Sequence, residues 1–136
     1  MGYRSDVCLM AVLNSKEQAE EVTAVYRMNK NVQRHNLWKE WRRVDMDSGA
    51  VVLIWEAEDV KFYEAYEDVQ GLMYMRELLQ DFADHRGEDF RFAWGKARIG
   101  EEMEDTEYEV SSDQLFELVD VIYENLGIVR KLEVGL

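Results

Sequence analysis

Two uninterrupted apolar stretches decide the fold: Val-Cys-Leu-Met-Ala-Val-Leu at residues 7–13 and Ala-Val-Val-Leu-Ile-Trp at residues 50–55. Every position of each stretch is apolar, so both faces of the strand that it forms must be covered. The second stretch is also rich in β-branched side chains and too short for a helix. We therefore predict that these two segments form the central strands of one sheet.

The segments around the two central strands are predicted from capping residues, helical spacing and turn residues. Ser15 and Gln18 have the spacing of a capping box. Asp47-Ser48-Gly49 is typical of a hairpin turn. The prediction is a helix over 15–28, a polar irregular segment over 29–37, a strand over 41–46, a loop over 57–66, a helix over 68–83 and a half-buried strand over 90–99.

This order of strand, helix, strand, strand, helix, strand predicts an α+β fold of the ferredoxin-like sandwich type, in which the first and third strands lie centrally. A third helix is predicted from a second capping box that begins at Ser111, and an added edge strand over 128–134. The 136 residues are predicted to form a single domain. Residues 1–100 form its sandwich core, and residues 101–136 its acidic loop, C-terminal helix and edge strand.

The bulk composition excludes several classes of protein. Cys8 is the single cysteine, so the chain forms no internal disulfide. No stretch has the length of apolar sequence that spans a membrane, and the N-terminus has no apolar signal core. These features predict a cytoplasmic protein with no membrane contact. The formal net charge of −13 argues against direct binding of long nucleic acid.

Charge is distributed unevenly along the chain, and the acidic excess is densest over 101–113. Three interpretations are open: a solvated loop, a patch that faces a partner protein, and a divalent metal site. The partner interpretation rests on electrostatics, because a row of carboxylates can occupy a basic surface that otherwise reads phosphates. Its predicted binding residues are Glu101, Glu102, Glu104, Asp105, Glu107 and Glu109, joined by Glu56, Glu58 and Asp59.

A basic and aromatic segment over 27–43 gives an alternative ligand site. Arginines bind phosphate and tryptophans stack on bases, so this composition is compatible with a nucleotide. The residues concerned are Arg34, His35, Trp38, Arg42 and Arg43. The competing interpretation places the tryptophans in the core and the charges in solvent.

Three further motifs have a structural interpretation beside a functional one. Cys8 lies within an apolar strand, which predicts an inert core thiol rather than a nucleophile. The acids from Asp45 to Glu56 outline a calcium loop, but the glycine is misplaced, which favours a hairpin turn. The aromatic residues of the 57–66 loop fit either an interface or burial under the following helix. No catalytic residue, metal or cofactor is predicted.

Met-Gly-Tyr-Arg-Ser-Asp-Val at 1–7 resembles the start of a family of small bacteriophage and prophage proteins. The segment Trp-Glu-Ala-Glu-Asp-Val-Lys-Phe-Tyr at 55–63, with Tyr66 and Asp68-Val69, resembles the same family. So do Phe-Arg-Phe at 90–92 and Arg-Ile-Gly-Glu at 98–101, with the residues between them as an insertion. Phe62 and Glu67 depart from the family pattern, and the last third of the chain does not share it. The resemblance implies a viral origin and a small mixed sandwich, and it transfers no catalytic residue.

These observations lead to three hypotheses about function. The first is a non-enzymatic acidic phage protein that binds and inhibits a host protein with a basic surface, in host defence or nucleic-acid handling. The second is a protein that binds or hydrolyses nucleotides or other small molecules at the basic and aromatic segment. The third is a self-assembling protein that forms a homodimer through residues 111–136.

Overall fold

The computed structural model describes residues 4–100 and 106–112. Two long α-helices, one short α-helix and two 3-10 turns accompany the strands in this part of the chain. In chain order the elements are β1 (Ser5–Leu13), α1 (Lys16–Tyr26), α2 (Lys30–Arg34), a 3-10 turn (Leu37–Glu40), β2 (Arg42–Asp45), β3 (Val51–Val60), α3 (Glu67–Arg86), a second 3-10 turn (Gly87–Asp89), β4 (Phe92–Gly100) and β5 (Thr106–Ser112).

The five strands form one antiparallel sheet in the order β2-β3-β1-β4-β5. The two apolar stretches are β1 and β3, and Leu9 of β1 lies opposite Trp55 of β3 and Lys96 of β4. The predicted central position of both strands is therefore confirmed. The fold is α+β, and its first four strands have an order compatible with a ferredoxin-like sandwich.

The polar segment over 29–37, predicted to be irregular, contains a helix and a 3-10 turn. Asn29 starts α2 because its side-chain oxygen accepts the backbone N–H groups of Asn31 (2.9 Å) and Val32 (3.2 Å). Val32 and Leu37 then bury their side chains in the core. Helix α1 ends at Tyr26, two residues before its predicted end at residue 28, and Met28 is 73% exposed.

The two faces of the sheet have separate apolar clusters. The first-face cluster contains Val7, Leu9, Ala11 and Leu13 of β1, and the helices pack against it. Gly71 of α3 permits the close approach of the first 3-10 turn, since a Cβ atom there would lie 2.5 Å from Leu37 Cδ1. The second-face cluster is made of strand and hairpin residues: Cys8, Met10, Val12, Ala50, Val52, Ile54, Ala93 and Ala97, with Met46 packed against it.

Strand β4 is buried on both faces, so its prediction as half-buried was wrong. Phe92 and Trp94 belong to the first-face cluster, while Ala93 and Ala97 of the second face have no exposed surface. Small residues occur on buried and on exposed strand faces, so the alanines did not indicate that the second face is covered. The alternation of large aromatic residues with other residues therefore predicted one buried face only. Burial of both faces agrees with the position of β4 between β1 and β5 in the interior of the sheet.

The acidic segment is not a loop along its whole length. Residues Thr106–Ser112 form β5, which extends the sheet by pairing with β4, with Glu107 opposite Arg98. Ser111 and Ser112 belong to this strand, so the helix predicted from Ser111 does not begin there. The rest of that predicted helix, the predicted strand over 128–134 and Glu101, Glu102, Glu104 and Asp105 lie outside the described residues.

Candidate functional site

The end of β3 carries three of the predicted partner-binding acids. Glu56 is paired with Arg42 of β2 (Nη2–Oε1 3.5 Å), and its side chain remains 58% exposed. Glu58 is also exposed. Asp59 adopts a left-handed backbone conformation (φ 55°), and its side chain is 77% exposed. This end of the sheet therefore presents carboxylates to solvent.

The backbone around Asp59 is held by the N-terminal strand. The Asp59 N–H donates to Asp6 Oδ1 (2.9 Å), and the Asp59 carbonyl accepts from Arg4 Nη1 (2.8 Å). The register of β1 against β3 shifts between Ser5 and Val7. The Asp59 carboxylate itself is 77% exposed and lies 3.9 Å from Arg4 Nη1.

The acids of β5 are used within the molecule. Glu107 accepts hydrogen bonds from Lys96 Nζ (2.9 Å) and Arg98 Nε (3.1 Å), and Glu109 forms an ion pair with Arg76 of α3 (2.5 Å). Two members of the predicted acidic patch therefore face cations of the same chain. Their carboxylates support the packing of β5 rather than a free negative surface.

Lys96, Arg98 and Glu107 form a cation–carboxylate cluster that the sequence analysis did not identify. The Lys96 side chain is only 9% exposed, and its ammonium lies 5.6 Å from the centre of the Phe62 ring. Arg98 also donates to Ser5 Oγ (3.1 Å). The cluster borders a cavity of about 390 Å³ that Tyr63 and Met73 help to line. Its signal in the sequence was the presence of two bases inside an otherwise apolar strand.

Glu107 makes stability depend on pH. The hydrogen bond from Lys96, and then that from Arg98, lowers the pKa of Glu107 in the folded protein. A lowered pKa gives stability that is present above the pKa of the unfolded chain and lost as pH falls through the folded value. We expect Glu107→Gln to lower the free energy of unfolding by about 1 kcal/mol at pH 7, after allowance for solvent exposure.

The measurement is urea unfolding of both proteins between pH 7 and pH 3. The difference between them should shrink as pH falls below about 4.5. Three other carboxylates also have a lowered pKa, those of Glu21, Asp45 and Glu67. They are present in both proteins, so their contribution to the pH dependence cancels in the difference. A difference that stayed constant with pH would contradict the role of Glu107.

The basic residues predicted to form the alternative ligand site pair with different carboxylates of the protein. Arg34 (Nη1–Oε2 2.6 Å) and His35 (Nε2–Oε1 3.6 Å) both contact Glu67 at the start of α3. In β2, Arg42 pairs with Glu56 and Arg43 with Asp45 (2.8 Å). Neighbouring residues of a strand point to opposite faces, so these two arginines do not converge on one ligand.

Trp38 packs against the first-face cluster, and its ring centre lies 6.1 Å from that of Tyr26. The structure therefore brings Arg34 and His35 together but does not assemble Arg34, His35, Trp38, Arg42 and Arg43 into a single pocket. The interpretation with core tryptophans and solvated charges describes this segment better.

Cys8 is a core thiol, as predicted. Its residue is 1% exposed within the second-face cluster. Burial, and to a smaller extent the charge of Glu56, raises the pKa of Cys8 to about 12. A thiol held in its protonated form is a poor nucleophile at neutral pH, which agrees with the predicted core role of Cys8.

The segment after Asp45 is a hairpin between β2 and β3. Met46 N–H donates to the Ala50 carbonyl (2.9 Å), and Gly49 takes the positive φ (95°) that the turn requires. The predicted hairpin is confirmed. Across residues 4–100 and 106–112, no group of three or more His, Cys, Asp or Glu side chains has a metal-binding arrangement.

The aromatic loop before α3 combines both of its interpretations. Phe62 packs on Trp55 with ring centres 6.0 Å apart, and it joins the edge of the first-face cluster. Tyr63 and Tyr66 contact each other edge to face (5.2 Å), and Tyr66 is 43% exposed. The first aromatic of the loop is therefore part of the core, and the last one lies at the surface.

The chain was compared with known families, curated proteins and solved structures. Neither the protein-family models nor the curated proteins give a match. Among solved structures it is similar to the guanylyl cyclase Cya2, with 16% sequence identity and a TM-score of 0.30, over 91% of this chain and 71% of that chain. A likeness of this extent carries no functional argument. In the described part of the chain, no helix is long and apolar enough to cross a membrane.

Proposed function

We propose that the chain is a non-enzymatic, acidic accessory protein of the bacteriophage type that binds a host protein through its negative potential. The partner has a basic surface, and inhibition of a host defence or nucleic-acid-handling protein is the activity that such binding would serve. The proposed location is the cytoplasm of the host cell. The resemblance of residues 1–7 and 55–63 to phage proteins supports the viral setting.

The observation that carries this proposal is where the charge lies. Residues 101–136 contain eleven of the 29 acidic residues but only two of the 16 basic ones. Within residues 1–100, acidic residues outnumber basic ones by much less. In that part, several bases are matched to acids by ion pairs such as Arg34–Glu67, Arg42–Glu56 and Arg43–Asp45. Negative potential concentrated in one region steers association with a positive partner.

We also propose that the sandwich is ferredoxin-like, with β5 as an addition to its edge. The order β2-β3-β1-β4 and the antiparallel pairing of all neighbours support this assignment. In this arrangement the exposed acids of β3 lie at the end of the sheet where β4 ends at Gly100 and β5 begins at Thr106. Ser5, at this end of β1, lies opposite both Val60 and Gly100. On this proposal Glu56, Glu58 and Asp59 extend the acidic surface, although Glu56 and Asp59 each have an arginine (Arg42 and Arg4) beside the carboxylate.

The test is a pull-down from the natural host with a variant in which Glu101, Glu102, Glu104 and Asp105 are changed to Lys. We expect the wild-type protein to retain one main partner and the variant to lose it, with an affinity lower by at least about 100-fold. Binding of the wild-type protein should also weaken steeply with salt, because exposed charges are screened beyond about 10 Å at 0.1 M.

The matched control changes the same number of exposed acids elsewhere: Glu20, Asp47, Asp81 and Glu88 to Lys. These side chains lie on the helical layer and in the turns. The control has the same net charge as the first variant, so it should keep the partner if position matters. Equal retention of the partner by both variants, or binding insensitive to salt, would refute the proposal.

A further inference from the structure

The second-face cluster is fully covered. Met10, Val12, Ala93 and Ala97 have no exposed surface, and Cys8 has 1%. Val52 and Ile54 of β3 are exposed by only 3% and 4%. A sheet face without a covering layer would leave such side chains in contact with water. Something must therefore pack on this face.

The described elements do not provide that layer. Within residues 4–100 and 106–112, the helix residues that join an apolar cluster all join the one on the first face. These include Ala19, Val22 and Tyr26 of α1 and Leu72, Met75 and Leu79 of α3. The second-face cluster contains residues of the strands and of the hairpin between β2 and β3 alone. Among residues 4–100 and 106–112, no element is therefore available to cover this face.

We propose that residues 113–136 form this cover, with an amphipathic helix packed across β1, β3 and β4. Residues 1–3 and 101–105 are too few to cover three strands, whereas 113–136 supply 24 residues. The chain leaves β5 at Ser112, which lies opposite Ala93, and Ala93 lies opposite Val12. Neighbouring strands are about 4.8 Å apart, so the segment starts beside the face that it covers.

The sequence of the segment has the matching pattern. With 3.6 residues per turn, one side of a helix from residue 113 is apolar and the opposite side is acidic. The apolar side has Leu115, Leu118, Val119, Ile122 and Leu126, and the acidic side has Asp113, Glu117, Asp120 and Glu124. The small side chains of Cys8, Ala93 and Ala97 leave a shallow surface on which such a helix can pack closely.

Cys8 provides the test, because it is the single cysteine and lies under the proposed cover. In the full-length protein, labelling by a maleimide should be at least about 100-fold slower than in denaturant. Ile122→Asp places a charge on the apolar side of the segment and should raise the native labelling rate by at least ~10-fold. The control Glu117→Lys changes charge on the acidic side and should leave the rate unchanged.

Unchanged protection in a folded Ile122→Asp variant would overturn the proposal. If that variant does not fold, methyl NMR of the wild-type protein tests whether residues 113–136 contact the second-face cluster. We expect nuclear Overhauser contacts from Met10 or Val12 to Leu118 or Ile122 within one chain. Contacts seen solely between differently labelled chains in a mixed sample would assign the cover to a second copy, and their absence in both samples would exclude the segment. This readout does not involve the host partner, so it can fail while the proposed function stands.

Discussion

Leu9→Ala is expected to lower the free energy of unfolding by about 2–5 kcal/mol, because it opens a cavity in the densest part of the sheet. Leu9 has no exposed surface and lies on β1 between Trp55 of β3 and Lys96 of β4. The neighbouring strands are fixed by hydrogen bonds on both sides, so they cannot collapse fully into the space. For a domain whose total stability is about 5–15 kcal/mol, this loss is a large fraction.

Urea unfolding followed by tryptophan fluorescence measures the effect. The matched control is Val44→Ala on the edge strand β2, where the side chain is 40% exposed. Its cost should stay below about 0.5 kcal/mol. A cost for Leu9→Ala no larger than that of the control would show that β1 is not the centre of the sheet.

Tyr26→Phe is expected to cost about 1–3 kcal/mol although it removes a single oxygen atom. The Tyr26 hydroxyl donates to the Gly71 carbonyl of α3 (2.9 Å) and accepts from Trp41 Nε1 (3.0 Å). The ring is fully buried, so phenylalanine keeps its contacts with Trp38 and Tyr74. The loss arises because the Trp41 N–H is left buried without an acceptor, and water cannot replace the hydroxyl.

A double-mutant cycle with Trp41→Phe isolates this mechanism. Once the indole donor is removed, Tyr26→Phe no longer leaves it unpaired. The double variant should therefore be less destabilised than the sum of the two single variants, by about 1 kcal/mol. Additive costs, measured by thermal or urea unfolding, would mean that the two side chains do not share a hydrogen bond that matters for stability.

The sequence predicted those parts of the fold where pattern and burial coincide. Strands β1 and β3 contain the uninterrupted apolar stretches 7–13 and 51–55, so their central place followed directly. The hairpin after Asp45 was visible in its turn residues, and Ser15 does cap α1 by accepting the Gln18 N–H (3.2 Å). Each of these signals is local, and the local chemistry agrees with the tertiary structure.

The sequence misled where tertiary contacts override local composition. β5 was hidden by its acids, because Glu107 and Glu109 look solvated until Lys96, Arg98 and Arg76 are placed beside them. Helix α2 was hidden by its polarity, and two buried residues, Val32 and Leu37, are enough to hold that region against the core. Burial of a mostly polar segment depends on partners that lie far away in the sequence.

The arrangement of the candidate site residues in space was less predictable from the sequence than the fold. The exposed acids of β3 were identified from charge alone, but the pairing of Glu56 with Arg42 was not. The arginines over 27–43 appeared as one group because they are close in sequence, whereas a strand sends Arg42 and Arg43 to different sides. Proximity along a chain is a poor guide to convergence in space when the elements between the residues turn the side chains apart.

The order of the strands also constrains how the chain is made. β1 precedes both of its neighbours in the chain, and the pairing of Leu9 with Lys96 closes a long loop. During translation, one edge of β1 therefore has no hydrogen-bonding partner until β4 is made, although β3 can pair with the other edge earlier. Pairing across such sequence distances slows folding and exposes intermediates to aggregation.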